Sequence, residues 1–342
     1  MGLRGYILKR ILYMVALIFF VITINFFIFM LMPGDPAAML VNPQSRFVKE
    51  ELAAARRAWG LDEPIYVRYV KYAINLLTWH FGKSIATSIS IASEMAWRLP
   101  YTLFLMGGST ILSMIIGILL GVLAAHKRGS RFDDVNVVFS LAFYSLPVFW
   151  MGMVFLLIFA KELGWFPMGS PFPVEWLLHP PSPAFVFDLF GLKVVIPTLY
   201  ELFVRLKHLV LPLATLTLFQ YGGWLLLTRA TMLETLTEDY ILTAKAKGVK
   251  TRSVLLKHAL KNASLPLITT AALSFGFLVG GAIITETVYN WPGMGGWIYQ
   301  AISGRDYPVL QAIFFIIALC VVIANFIADL LYGIIDPRIK YD

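Results

Sequence analysis

Charge is what this chain has least of. Asp, Glu, Lys and Arg supply only 14% of its 342 residues, apolar residues supply 59%, and the mean hydropathy is +0.76. Soluble domains carry roughly 25% charged residues, so an ordinary soluble domain is excluded and an integral membrane protein is expected. Cysteine is nearly missing as well. Cys320 stands alone inside an apolar run, which excludes an internal disulfide framework and leaves a small buried side chain. Motifs for phosphate cradling or covalent chemistry are missing: no G-x-x-x-x-G-K-[S/T], H-E-x-x-H, C-x-x-C or G-x-S-x-G occurs. The five histidines (His80, His126, His179, His208 and His258) are scattered, without the convergence a metal centre needs. The chain is therefore expected not to be an enzyme and to hold no cofactor or metal of its own.

What is present is apolar length. Six charge-free runs stand out, at 11–32, 101–125, 135–160, 209–228, 263–285 and 307–328. The first has 22 residues. At about 1.5 Å per residue it crosses a core of ~30 Å. It is too long for a signal-peptide core and no small-residue cleavage site follows, so an uncleaved first helix is expected. Pumps and ion-coupled carriers keep ionisable groups inside their spans. Here Glu286 ends the fifth run and Asp329 the sixth, and the rest is nearly bare. Glu286 reads either as a polar contact on a translocation path or as a paired interfacial carboxylate. Asp329, close to Tyr332, Asp336 and Arg338, reads as part of a helix-end network. An ion-driven mechanism has little to stand on, so uphill transport needs energy from a partner.

The net charge of +8 is expected to flank the spans rather than to bind nucleic acid. Lys and Arg divide 15 to 13 between the two sides, and 15 to 5 once segment 33–100 is set aside. Loops longer than about 60 residues do not count in this rule. Both termini and the most basic loop are therefore expected in the cytoplasm. On the other side, 48–59 reads as a helix stopped by Gly60, 64–77 as an aromatic-rich interfacial helix, and 92–99 as a short amphipathic piece. The Pro- and aromatic-rich segment 161–208 reads as an irregular ordered cap. Neither a repeat of 20–50 residues nor inverted symmetry between the halves is apparent.

The most basic stretch, 239–266, reads as two short helices at a bend. Thr235 and Glu238 have capping-box spacing, and Gly248 suits a helix stop. Thr251 or Ser253 is placed to cap the second helix. There Leu255, Leu256, Ala259, Leu260 and Ala263 fall on one face beside Lys257 and Lys261.

This stretch resembles the EAA loop of ABC-importer permeases of the dipeptide/oligopeptide type. Its T-A-x-A-K-G pattern matches Thr243-Ala244-Lys245-Ala246-Lys247-Gly248, and H-A-L-x-N-A-x-x-P-L matches His258 to Leu267. Leu242 stands at the Glu of the general consensus. The resemblance covers essentially the whole chain. It includes Pro33-Gly34-Asp35-Pro36, Gly60-Leu61-Asp62-Glu63-Pro64, Phe81-Gly82-Lys83-Ser84, Ser145 to Trp150, Glu286 to Gly295, Arg305-Asp306-Tyr307-Pro308 and Asp336-Pro337-Arg338. His80 departs from the pattern, where an Asp is usual.

The resemblance implies an all-α membrane protein. Six transmembrane helices would form a type I importer permease core, with amphipathic interfacial helices in a long outer segment. The implied organisation is 1–100, first helix and outer segment, then 101–342, a five-helix core with its coupling loop at 233–263. It implies an ATPase-docking coupling helix of Asp239, Tyr240, Thr243, Ala244, Lys245, Ala246, Lys247 and Gly248. There the alanines permit close packing, Tyr240 is a plausible anchor, and the lysines can meet an acidic rim. The plainer reading puts that basic face on anionic lipid. The implied partners are a second homologous permease, two cytoplasmic ATPases that bind the ATP and Mg, an external solute-binding protein and the inner-membrane bilayer. Glu286, Asn290 and Trp150 are candidates for the translocation path or outer gate, and 290–296 and 33–100 for meeting the binding protein. Trp291-Pro292-Gly293 reads equally as a plain turn. Short peptides are favoured as cargo over oligosaccharides or a nickel complex. A proton-coupled carrier is the more distant alternative.

Overall fold

The computed structural model describes residues 3–31, 49–50, 53, 56, 62–182, 184–189 and 192–335. Most of the helix expected at 48–59, the P-G-D-P at 33–36, the end of the chain from Asp336 and the side chain of Asp329 lie outside the described residues. The described elements are nearly all helical: α1 Leu3–Leu31, α2 Ile65–Leu77, α3 Ile91–Thr102, α4 Gly108–His126, α5 Arg131–Ser145, α6 Val148–Phe155, α7 Leu199–Thr235, α8 Asp239–Ala246, α9 Leu260–Phe277, α10 Ile283–Val288, α11 Met294–Ser303 and α12 Tyr307–Ile335. Among the described residues, five helical stretches are long and apolar enough to cross a membrane: Leu8–Leu31, Ile91–His126, Leu199–Thr235, Thr251–Gly280 and Tyr307–Ile327. A sixth is completed if Arg131–Ser145 and Val148–Glu162, bent by 99°, form one broken span.

The charge-free run at 135–160 falls on this bent pair. The ring of Pro147 disfavours helical backbone at the residue before it, and Leu146 is extended at φ −74°, ψ 138°. The fifth span is placed differently. Helix begins at Thr251 and stops at Gly280; Gly281 follows at φ +69°, and α10 is a separate short helix. Segment 161–208 holds more order than an irregular cap. It contains a 3₁₀ turn, Val174–Leu177, and an antiparallel hairpin of β1 Phe185–Leu189 with β2 Leu192–Ile196, in which Phe185 pairs with Ile196.

The chain divides into two compact units, residues 1–100 with 297–342, and residues 101–296. This division differs from 1–100 against 101–342 by grouping the last helix with the first.

In the first unit, α1 and α12 pack together and α2 lies against α1. Asn25 Nδ2 donates to Tyr72 Oη at 2.7 Å and to the carbonyl of Gln311 at 3.0 Å, so one amide joins three helices. The Thr23 and Tyr69 hydroxyls meet at 2.8 Å. Two motifs far apart in sequence also come together here. The buried Asp306 carboxylate accepts from Ser84 Oγ at 2.5 Å and from the backbone N–H groups of Ile85 and Ala86, each at 3.2 Å. F-G-K-S and R-D-Y-P are thus two halves of one anchor.

In the second unit, α4 and α7 make the most extensive helix pairing. Gly117 and Gly121, four apart on one face, let the backbones approach. A methyl at Gly121 would sit 2.7 Å from Thr228 Cβ and 2.8 Å from the Leu225 carbonyl. Arg229 on α7 grips Asp133 on α5 with two bonds, Nε to Oδ1 at 2.6 Å and Nη2 to Oδ2 at 2.7 Å. The N–H of Gly129 adds a third donor to that buried carboxylate at 3.0 Å. Ser130 caps α5, accepting from the Asp133 N–H at 3.4 Å.

Candidate functional site

The stretch with the clearest functional signature is α8 and the turns around it. It forms as a helix, but not with the expected caps. Thr235 lies in the last turn of α7, where its hydroxyl donates to the Thr231 carbonyl at 2.8 Å. It is therefore not free to cap, and Glu238 occupies the N-cap position without a side-chain bond. The next helical stretch starts at Thr251 behind Lys250, also without a side-chain cap, so neither Thr251 nor Ser253 does that work. The stop at Gly248 forms as expected. Gly248 N–H donates to the Lys245 carbonyl at 3.0 Å, and Val249 N–H to the Ala244 carbonyl at 3.2 Å. This pair of bonds is the Schellman pattern, and it requires the left-handed φ of +73° seen at Gly248.

Two residues seat α8. Ile241 and Ala244 are buried against Val122 and Ala125 of α4, Met232 of α7, and Val254, Leu255, Ala259 and Ala263. Ala244 is thus an inward packing residue, and its small size serves the protein's own core. The reason is spacing: in a helix of only two turns, Ile241 and Ala244 at i and i+3 define the buried face. Asp239, Tyr240, Leu242, Thr243, Lys245, Ala246, Lys247 and Gly248 are exposed. Apart from the Thr243 hydroxyl bonding back to the Asp239 carbonyl at 3.0 Å, these side chains make no hydrogen bond or ion pair among the described residues. Leu242, at the consensus Glu position, is 56% exposed and adds an apolar side chain to the free face. In the following stretch Leu255, Ala259 and Ala263 are buried, whereas Leu256 is exposed. The π-helical turn Val254–Ala259 shifts the register there, so the expected face is narrower.

At the other end of α4 lies a second constellation. Thr102 is 20 positions before Val122 within the continuous helical stretch Ile91–His126, roughly 30 Å away at 1.5 Å per residue. The buried carboxylate of Glu286 is closed in here. Oε1 accepts from Thr102 Oγ1 at 3.1 Å and from Ala282 N–H at 3.3 Å, and Oε2 accepts from Gly296 N–H at 2.8 Å. Thr102 Oγ1 in turn accepts from Met294 N–H at 2.7 Å. A methyl at Gly293 would sit 2.5 Å from both Glu286 Cδ and Thr102 Oγ1, so only glycine fits there. Burial raises the Glu286 pKa above the ordinary carboxyl range, and the backbone donors and Thr102 offset part of that shift. Tyr289 is buried beside it; its hydroxyl is 2.8 Å from Thr215 Oγ1 and donates to the Gly152 carbonyl at 3.2 Å. Burial pushes this phenol up to about 12. Trp291 Nε1 donates to the Tyr101 carbonyl at 3.0 Å.

The whole E-T-V-Y-N-W-P-G-M-G motif is therefore a clasp folded around one carboxylate. Glu286 stands here as a buried carboxylate with three hydrogen-bond donors. Asn290 is exposed in a turn at φ +49°, and Trp150 is 48% exposed on α6. The structure does not join Glu286, Asn290 and Trp150 in one hydrogen-bonded site. Sequence reasoning missed Thr102, Asp133 and Arg229. The Gly-rich run 293–296 signalled close packing around something, but nothing in the pattern named Thr102.

With helices of membrane-crossing length, an exposed basic helix and a clasped turn in place, comparison with known proteins is decisive. The model of the binding-protein-dependent transport system inner membrane component matches residues 117–341, and the model of its N-terminal part matches residues 3–106. The chain belongs to this family. It is a multi-pass membrane permease subunit of an ABC importer and not an enzyme by itself. It is similar to the oligopeptide transport system permease protein AppB of Bacillus subtilis strain 168, with 36% identity over 99% of this chain and 100% of that one. Against the di/tripeptide transport system permease protein DppB of Pseudomonas aeruginosa strain UCBPP-PA14, identity is 35% over 98% of this chain and 99% of that one. Against the glutathione transport system permease protein GsiC of Escherichia coli K12, it is 33% over 98% and 99%.

Proposed function

We propose that this permease carries short peptides inward. It would pair with a second, homologous permease and be supplied by a solute-binding protein. Two ATPase subunits, which bind the ATP and Mg, would drive it from the cytoplasm. The single observation that carries the cargo is full-length similarity to permeases named for dipeptides, tripeptides, oligopeptides and glutathione. That similarity favours peptides over oligosaccharides and over a nickel complex.

The coupling role goes to the exposed face of α8. Tyr240, Leu242, Thr243 and Ala246 supply contact area there, and Lys245 and Lys247 lie beside them. Apart from the Thr243 hydroxyl, bonded within the helix to the Asp239 carbonyl, these side chains have no hydrogen-bond or ion-pair partner among the described residues, so docking on the ATPase need break no tertiary bond. Displacement of α8 then passes through Ile241 and Ala244 into α4 and α7. Both termini and α8 would lie in the cytoplasm, as the Lys and Arg distribution supports. Alternating access would follow ATP-driven closure of the ATPases, with no covalent step in this chain.

Reconstitution tests this. Proteoliposomes containing the permease pair, the ATPases and the binding protein are expected to take up labelled di- and tripeptides only with ATP. Uptake driven by a proton gradient without ATPase, or uptake of oligosaccharides but not peptides, contradicts it.

A further inference from the structure

The first unit holds a half-open cavity of about 420 Å³, lined by no residue of α8 or of the Glu286 clasp. Its floor is apolar and buried, formed by Leu76, Phe81 and Ala312. Four polar side chains face it: Asn75, His80, Lys83 and Gln311. Lys83 has no carboxylate partner among the described residues, and the amides of Asn75 and Gln311 make no hydrogen bond there. His80 uses only Nδ1, 3.0 Å from Thr78 Oγ1. Among the described residues no carboxylate lines the cavity. One cation, two amides and an imidazole edge are thus placed together with no carboxylate partner among the described residues, which is a donor set for an anion.

The location selects among anions. Tyr72, on the cavity wall, is bound by Asn25, which lies within two turns of the end of α1. Gln311 lies within two turns of the start of α12. The cavity therefore sits where two membrane-crossing helices reach the end of their apolar span, at headgroup level whichever way the chain is oriented. Beside it, α2 exposes Ile74 and Leu77. We propose that this cavity binds a membrane phospholipid, with its phosphate held by Lys83, Asn75, His80 and Gln311 and its acyl chains along Ile74 and Leu77.

A photoactivatable phosphatidylglycerol in phosphatidylcholine vesicles tests this on the assembled transporter. Labelling is expected within residues 72–83. The double variant His80→Asp/Lys83→Gln is expected to lower it about tenfold, and Lys83→Arg to retain it. Both altered positions are exposed, so thermal unfolding should not change. Labelling that is equal in the double variant and the unaltered protein, or absent from 72–83, overturns the proposal. Soluble glycerophosphoglycerol should fail to compete at the concentration of the whole lipid. Equal competition would mean that a free phosphodiester, not a lipid, is the occupant.

Discussion

The two ends of α4 are built on opposite principles. At the Glu286 end, a short helix and a Gly-rich turn are sewn to their surroundings by side-chain-to-backbone hydrogen bonds that converge on one buried carboxylate. At the α8 end, an equally short helix is held by two apolar side chains and the backbone bonds of its turns. Among the described residues, its exposed side chains make no tertiary hydrogen bond or ion pair. The first arrangement fixes a shape, because each lost bond strands a buried group. The second keeps a helix in place through one face and leaves the other exposed. Asp133 and Arg229 apply the first principle on α7, one of the helices that receive α8, by pinning it to α5.

The comparison breaks first at the clasp. Glu286→Ala strands the N–H groups of Ala282 and Gly296 and the Thr102 hydroxyl. At about 1–3 kcal/mol for each buried unsatisfied group, the loss should reach several kcal/mol, read as a large drop in melting temperature in detergent. Gly293→Ala should be nearly as damaging, because its methyl meets Glu286 and Thr102. Gly248→Ala should cost only about 1–2 kcal/mol, since a methyl there meets nothing within 4 Å and the left-handed backbone is the sole penalty. Equal effects of the two alanines would erase the distinction between the ends.

Next come two arginines on α8. Ala244→Arg forces a cation into the apolar cluster and should lower both the melting temperature and ATPase co-purification. Ala246→Arg, on the exposed face, should leave the melting temperature unchanged and remove co-purification alone. An Ala246→Arg protein that still assembles and transports would place docking elsewhere.

The smallest effect is the pH dependence of the clasp. The folded-state pKa of Glu286 is raised, so the folded protein holds this proton more tightly than the unfolded chain. Its contribution to stability is complete below the ordinary carboxyl range and is lost as pH rises through the elevated value. The melting-temperature advantage of the unaltered protein over Glu286→Gln should therefore be larger at pH 4.5 than at pH 8. A constant difference would mean the carboxylate is as easily ionised as a free one.

Much of this was legible in the sequence. Charge-free runs gave the spans, because a bilayer leaves few places for a charge. The break at Pro147 was not seen, because counting charges registers apolarity and not backbone geometry. The clasp was visible as a motif but not as a mechanism. Its bonds join Glu286 to Thr102, 184 positions away, and to backbone groups that every residue possesses. A short helix ending before Gly248 was legible, yet Ala244, grouped in the sequence with the docking residues, packs inward. Eight residues give too few apolar positions to define a face until the cluster that receives them is known.

The outward face of α8 can be measured directly by single-cysteine cross-linking. With Cys320→Ala as background, Thr243→Cys and Ile241→Cys are compared in the assembled transporter using a short thiol-to-amine reagent. Thr243→Cys is expected to cross-link to the ATPase and Ile241→Cys to leave it unlabelled. An unreacted Thr243→Cys, or equal cross-linking from both positions, would contradict the account.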